Sequence, residues 1–233
     1  MLKFFGRGSA SNYAENTTSA YFVEDRKLFV IDCSEVTARQ ILSSDILNNI
    51  SEIFLCVTHT HGDHFSGCGT LAGLLEYEHK ISLSIVLDDY ARHVSQVEQE
   101  IRNKGAQNSV RYIDFKELKN KFKFFNFAKY IPTTHSNDGV ESHAIQFETP
   151  NGIIYYSGDT NEIDKIVEVA KDKRILRLYV DTSSVDTTWH ITLKQLEENI
   201  PIKLRKNIFA MHIDRHFCED KALEIGFKTV KVD

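Results

Sequence analysis

The sequence predicts an α/β fold. Short apolar runs of strand length, rich in Ile, Val, Phe and Tyr, alternate with polar or amphipathic stretches of helix length along 233 residues. Several of those runs end on a histidine or an aspartate, and no linker or internal repeat interrupts the alternation. One domain over residues 1–233 is therefore expected, a length ample for one buried core. With 42% hydrophobic and 26% charged residues the composition is ordinarily globular, so patterning decides the class.

Met1 to Phe5 and Ser19 to Ile31 read as strands of an opening sheet, with Gly6, Gly8 and the polar run Ser9 to Thr18 as the loop between them. Ile31 to Leu42 ends a strand and starts a helix. Ile53 to Val57 is a short buried strand, and Thr58-His59-Thr60-His61-Gly62-Asp63-His64 follows at once. Gly67 to Glu78 predicts a helix carrying Leu71, Leu74 and Leu75 on one face; Ile81 to Leu87 is a strand and Asp89 to Lys104 a polar helix. Val110 to Phe115 and Lys121 to Ile131 suggest further strands, with Phe122, Phe124, Phe125 and Phe127 read as core side chains rather than base-stacking ones. Ser142 to Thr149 and Ile153 to Tyr156 pair around Pro150-Asn151-Gly152. Asn161 to Asp172 is a helix, Ile175 to Val180 a strand, Leu193 to Asn199 a short helix and Ile208 to Ile213 the last core strand, before a helix and strand to Val232.

Charge narrows the partners. The net charge is −5, and basic residues concentrate only at Lys116 to Lys129 and Lys203 to Lys206. Gripping a long polyanion needs basic clusters, so the balance favours a small substrate. No apolar run approaches the roughly 20 residues that span a bilayer. Met1 to Gly8 lacks an apolar signal core, so a cytoplasmic location is expected. Cys33, Cys56, Cys68 and Cys218 show no CxxC spacing and read as reduced, structural thiols.

The chemistry lies in the stretch after Val57. His59 and His61 stand two apart and point the same way in an extended segment. Gly62 is expected to bend the chain so that Asp63 and His64 approach the same point. Three imidazoles and a carboxylate suit zinc, manganese or iron rather than calcium or magnesium.

This stretch resembles the His-x-His-x-Asp-His signature of the metallo-β-lactamase-fold hydrolases, which implies a four-layered αβ/βα sandwich and two metal ions. The resemblance puts His59 and His61 on one metal and Asp63 and His64 on the second. His135, in Pro132-Thr133-Thr134-His135-Ser136, is similar to the third-histidine motif. Asp159, in Ser157-Gly158-Asp159-Thr160, matches the carboxylate that bridges both metals, and His212 would serve the second. Ile31-Asp32-Cys33-Ser34-Glu35-Val36-Thr37-Ala38-Arg39-Gln40 resembles a segment of ribonuclease Z, with Ser34 and Val36 where that family has glycines. The same branch implies that His190, accompanied by the nearby Asp181, assists the leaving group. His79, His93, His143 and His216 match no motif and are read as structural or exposed.

These expectations describe a hydrolase in which two ions share and acidify a water, Asp63 deprotonates it and His190 helps the leaving oxygen depart. No nucleophilic Ser or Cys motif competes. Three substrate classes fit the scaffold: small 3′,5′-cyclic nucleotides, the 3′ end of transfer RNA, and carbon esters, thioesters or lactams. The ribonuclease Z-like segment and His190 favour phosphodiesters. Ribonuclease Z carries a long RNA-gripping arm, commonly between the third histidine and the bridging Asp; here only 24 positions lie from His135 to Asp159. The compact chain therefore looks like the armless phage anti-Pycsar nucleases that cleave cyclic mononucleotides, a resemblance that also implies a homodimer.

Overall fold

The apolar run from Ser19 to Ile31 folds back on itself. β2 (Ser19–Glu24) and β3 (Lys27–Ile31) form an antiparallel hairpin, turned by Asp25 and Arg26 at φ 47° and 63°. Two successive positive φ values give the twist a two-residue hairpin needs. Neither residue is a glycine, which is why the sequence reads as one strand. The computed structural model describes residues 1–87, 94–136 and 139–232.

β1 (Lys3–Gly6) pairs with β2, and β3 continues in parallel through β4 (Glu52–Cys56), β5 (Ser82–Val86) and β6 (Val110–Ile113). The second sheet repeats the plan. β7 (Phe127–Thr133), β8 (Ser142–Thr149) and β9 (Gly152–Tyr156) pair antiparallel, then β9, β10 (Ile175–Asp181), β11 (Ile208–Met211) and β12 (Lys228–Thr229) run parallel.

The helices lie outside the sheets. α1 (Glu35–Ser43) starts where the Ser34 hydroxyl accepts from the Thr37 N–H at 3.2 Å; serine, absent from the ribonuclease Z segment at this position, is a strong N-cap. The next is α2 (Gly62–Phe65), a single turn. α3 (Cys68–Leu74) widens into a π-helical turn over Leu75–His79, and α4 (Val94–Asn103) packs beside it. Residues 89–93 of the helix expected from Asp89, His93 among them, lie outside the described residues. The expected strand through Phe115 stops at Ile113, because Asp114 caps α5 (Phe115–Lys119) by accepting from the Glu117 N–H at 2.7 Å. The strand expected from Lys121 begins only at Phe127. α6 (Ile163–Lys171), α7 (Leu193–Asn199), α8 (Ile202–Arg205) and α9 (Glu219–Glu224) complete the chain.

Three apolar clusters define four layers. The middle one joins the inner faces of both sheets, with Phe22, Phe29, Phe54, Phe122, Phe125 and Phe147 in mutual ring contact. Phe122 and Phe125 are buried there and Phe124 packs against them half-buried, but Phe127, also expected in the core, is 44% exposed, so core packing accounts for three of the four aromatics. A second cluster lies between the first sheet and α1, α3 and α4, and a third between the second sheet and α6, α7 and α9. The expected αβ/βα sandwich is the observed architecture. No described helix is long and apolar enough to cross a membrane.

Candidate metal centre

The candidate site residues stand at the ends of strands from both sheets. β4 leads into His59 and His61, and the turn α2 carries Asp63 and His64. Gly62 enters that turn without a positive φ, and a Cβ there would meet nothing within 4 Å. The bend belongs to the helical turn, not to glycine's freedom. Glycine is needed instead at Gly158, between β9 and Asp159: its φ is 58°, and a Cβ would stand 2.5 Å from the His143 carbonyl oxygen. His135 follows β7, Asp181 ends β10 and His212 follows β11.

The candidate ligands fall into two neighbouring groups. His59, His61, His135 and Asp159 present ligand atoms within 4.8 Å of one another, as do Asp63, His64 and His212, and an overlapping set of His135, Asp159, Asp181 and His190 is equally close. Asp159 lies between the groups. One of its oxygens is 3.7 Å from His59 Nε2, 3.6 Å from His135 Nε2 and 3.3 Å from His212 Nε2, and the other is 3.4 Å from His64 Nε2. Asp63 Oδ2 approaches His64 Nε2 at 3.3 Å and His212 Nε2 at 3.2 Å.

Hydrogen bonds on the far side of the rings aim their lone pairs inward. Asp32, fully buried after β3, accepts from the Thr58 N–H, the Thr58 hydroxyl and His64 Nδ1 (2.9 Å). With its proton committed to Asp32, the Thr58 hydroxyl accepts from His59 Nδ1 at 3.1 Å. His135 Nδ1 donates to the Trp189 carbonyl at 2.9 Å. Asp181 takes His212 Nδ1 on one oxygen at 3.2 Å and His190 Nδ1 on the other at 2.7 Å. Such partners fix tautomer and ring orientation at metal sites.

The donor set fits divalent cations. His59 Nε2 faces His61 Nδ1 at 3.0 Å, and His64 Nε2 faces His212 Nε2 at 3.4 Å. Inward lone pairs this close repel unless a proton or a cation lies between them. Burial and the neighbouring His64 push His59 below the usual imidazole range, so it stays neutral and able to ligate. Burial alone would raise Asp159, but His212, His64 and His59 outweigh it and hold the carboxyl well below its usual range. Nitrogen and carboxylate ligands in this ratio suit zinc, manganese or iron.

A cavity of about 480 Å³ opens over the centre. His61, Asp63, His135, Asp159, His190 and His212 line it together with Trp189, Arg215 and His216. Sequence reasoning passed over Asp32, Trp189 and Arg215 as site residues and read His216 as structural or exposed. The available signal was their nearness in the chain to motif residues: Trp189 precedes His190, and Arg215 and His216 follow His212 closely. His143 is structural, as expected: it is buried on β8, and its Nδ1 bonds the Thr58 carbonyl at 3.3 Å.

Comparison with known proteins agrees with this architecture. A family model described as anti-Pycsar protein Apyc1 matches residues 1–231. Ribonuclease Z of Bacillus subtilis is 24% identical over 289 aligned residues, covering 99% of this chain and 94% of that enzyme. Ribonuclease Z of Halalkalibacterium halodurans is 41% identical over 80 residues, which cover 32% of this chain and only 25% of that enzyme. The crystal structure of the metallo-β-lactamase-fold protein YhfI from Bacillus subtilis superposes with a TM-score of 0.71 at 15% identity, covering 100% of this chain and 95% of that one.

Proposed function

This chain belongs to the anti-Pycsar protein Apyc1 family, within the metallo-β-lactamase-fold hydrolases, and we propose that it hydrolyses 3′,5′-cyclic nucleotides to linear monophosphates. The carrying observation is the hairpin of β8 and β9, which takes up the interval from His135 to Asp159 and leaves no length there for an RNA-gripping arm. A cyclic mononucleotide needs only the centre and a cavity of this size. The reading includes one domain, a cytoplasmic homodimer and two ions of zinc, manganese or iron.

His59, His61 and His135 would hold one ion and Asp63, His64 and His212 the other, with Asp159 shared between them. Bound there, the pair supplies Lewis acidity towards a phosphoryl oxygen and a water of lowered pKa. Asp63 accepts the proton of the attacking water. Burial lowers the basicity of His190, but Asp181 outweighs it and raises the pKa, which favours the protonated ring. With Nδ1 bound to Asp181, Nε2 is the atom that can donate to the leaving oxygen.

The ribonuclease Z relatives support a second reading, trimming of transfer-RNA 3′ ends. Purified protein should turn over cyclic mononucleotides faster than it cuts a 3′-extended transfer RNA, with shallow salt dependence. Efficient, salt-sensitive RNA cutting without cyclic-nucleotide turnover would reverse the two readings.

A further inference from the structure

Trp189 is the only tryptophan in the chain, and its side chain is 54% exposed on the wall of the cavity above the metal centre. Its backbone is held from several sides. The Trp189 carbonyl accepts from His135 Nδ1, and the Thr188 carbonyl accepts from Asn161 Nδ2 at 2.8 Å. The N–H groups of Trp189 and His190 both donate to the Thr187 hydroxyl, and the His190 ring is bonded to Asp181. A large apolar ring left in solvent on so fixed a backbone is pre-organised to receive a flat partner.

The neighbouring wall is cationic. Arg215 lines the same cavity, its guanidinium donating to His216 Nε2 at 2.9 Å and lying over the Tyr13 ring; the adjacent Asp214 carboxylate is taken up by Ser183 and Ser184. These bonds lace the Trp189 loop to the Arg215 loop.

We infer that Trp189 is the platform on which the nucleobase stacks while the phosphodiester sits at the metal centre. This rests on the cyclic-nucleotide reading and adds to it how the rest of the substrate is held. In a cyclic mononucleotide one sugar separates the phosphate from the base, and Trp189 adjoins both His190 and, through its carbonyl, His135. Stacking uses the π-face that every base presents, so the platform tolerates different bases and discriminates against substrates that lack one.

The single indole makes the test direct. Titrating the protein with cyclic nucleotide, or with the 5′-monophosphate product, should quench its tryptophan fluorescence saturably; ribose 3′,5′-cyclic phosphate without a base and inorganic phosphate should not. In W189A the preference in kcat/KM for a cyclic nucleotide over the base-less cyclic phosphate should fall about ten- to a hundredfold, the scale of one base–aromatic stack, and W189F should restore most of it. Quenching by nucleotides without turnover would sink the activity reading and keep the platform. Turnover with no quenching and an unchanged preference in W189A would overturn the platform and keep the activity reading. Equal quenching by the base-less compound would also overturn it.

Discussion

In each sheet two antiparallel pairings precede three parallel ones, and in each the site residues stand at strand carboxyl ends, after β3 and β4 in the first and at or after β7, β9, β10 and β11 in the second. The first sheet concentrates its contribution. Four candidate ligands, His59 to His64, leave the end of β4, and Asp32 at the end of β3 braces two of them, His64 directly and His59 through Thr58. The second sheet spreads its contribution over His135, Asp159 and His212 at three strand ends, with Asp181 at a fourth bracing His212. A concentrated half is set by one short segment, whereas a dispersed half depends on the register of a whole sheet.

The largest test of that contrast is Asp159→Asn, since the Asp159 carboxylate lies within 3.7 Å of two imidazoles of each group. Its loss should lower metal content in both halves and reduce kcat/KM by about a thousandfold or more, the several kcal/mol that metal catalysis supplies. Two ions retained at a near-normal rate would place the bridge elsewhere. Asp63→Asn should keep its ion but lose at least about a hundredfold in turnover, the usual scale of general-base catalysis.

The braces should then separate the halves. Asp32→Asn and Asp181→Asn should each weaken metal binding about ten- to a hundredfold in a chelator competition. Excess metal should restore turnover in Asp32→Asn. It should fall short in Asp181→Asn, because Asp181 also holds His190. Equal rescue of both would mean that His190 does not act through this carboxylate. The smallest effect is expected where the halves meet. The Tyr130 hydroxyl on β7 accepts from the Val57 N–H at 3.1 Å and donates to the Val86 carbonyl at 3.2 Å, tying the second sheet to the first beside His59. Tyr130→Phe leaves that buried N–H unpaired and should lower stability by about 1–3 kcal/mol, read from a denaturation midpoint.

The same contrast governs what the sequence discloses. His59 to His64 can be read as a metal loop from spacing alone, because all its parts lie within six residues. His135, Asp159 and His212 each look like an ordinary strand-end residue until family order links them. Asp32 was legible only as part of a resembling segment, since its bonds to Thr58 and His64 form across two strands. In the fold, strands and helices with clear periods, such as Leu193–Asn199, match their expected bounds. The misreadings occur where a single polar residue overrides an apolar run: Asp25 and Arg26 turning a hairpin, and Asp114 starting a helix inside an expected strand.

Asp32 and His212 share a further property. Both take left-handed backbone angles, φ 63° and 55°, at the point where β3 and β11 end. For residues with a Cβ such a conformation costs on the order of 1–3 kcal/mol, and glycine would relieve it. At these two positions backbone preference and site chemistry pull in opposite directions. Selection for thermal robustness alone would favour glycine at both and erode the centre, so stability and metal binding must be screened together in any variant library built on this chain.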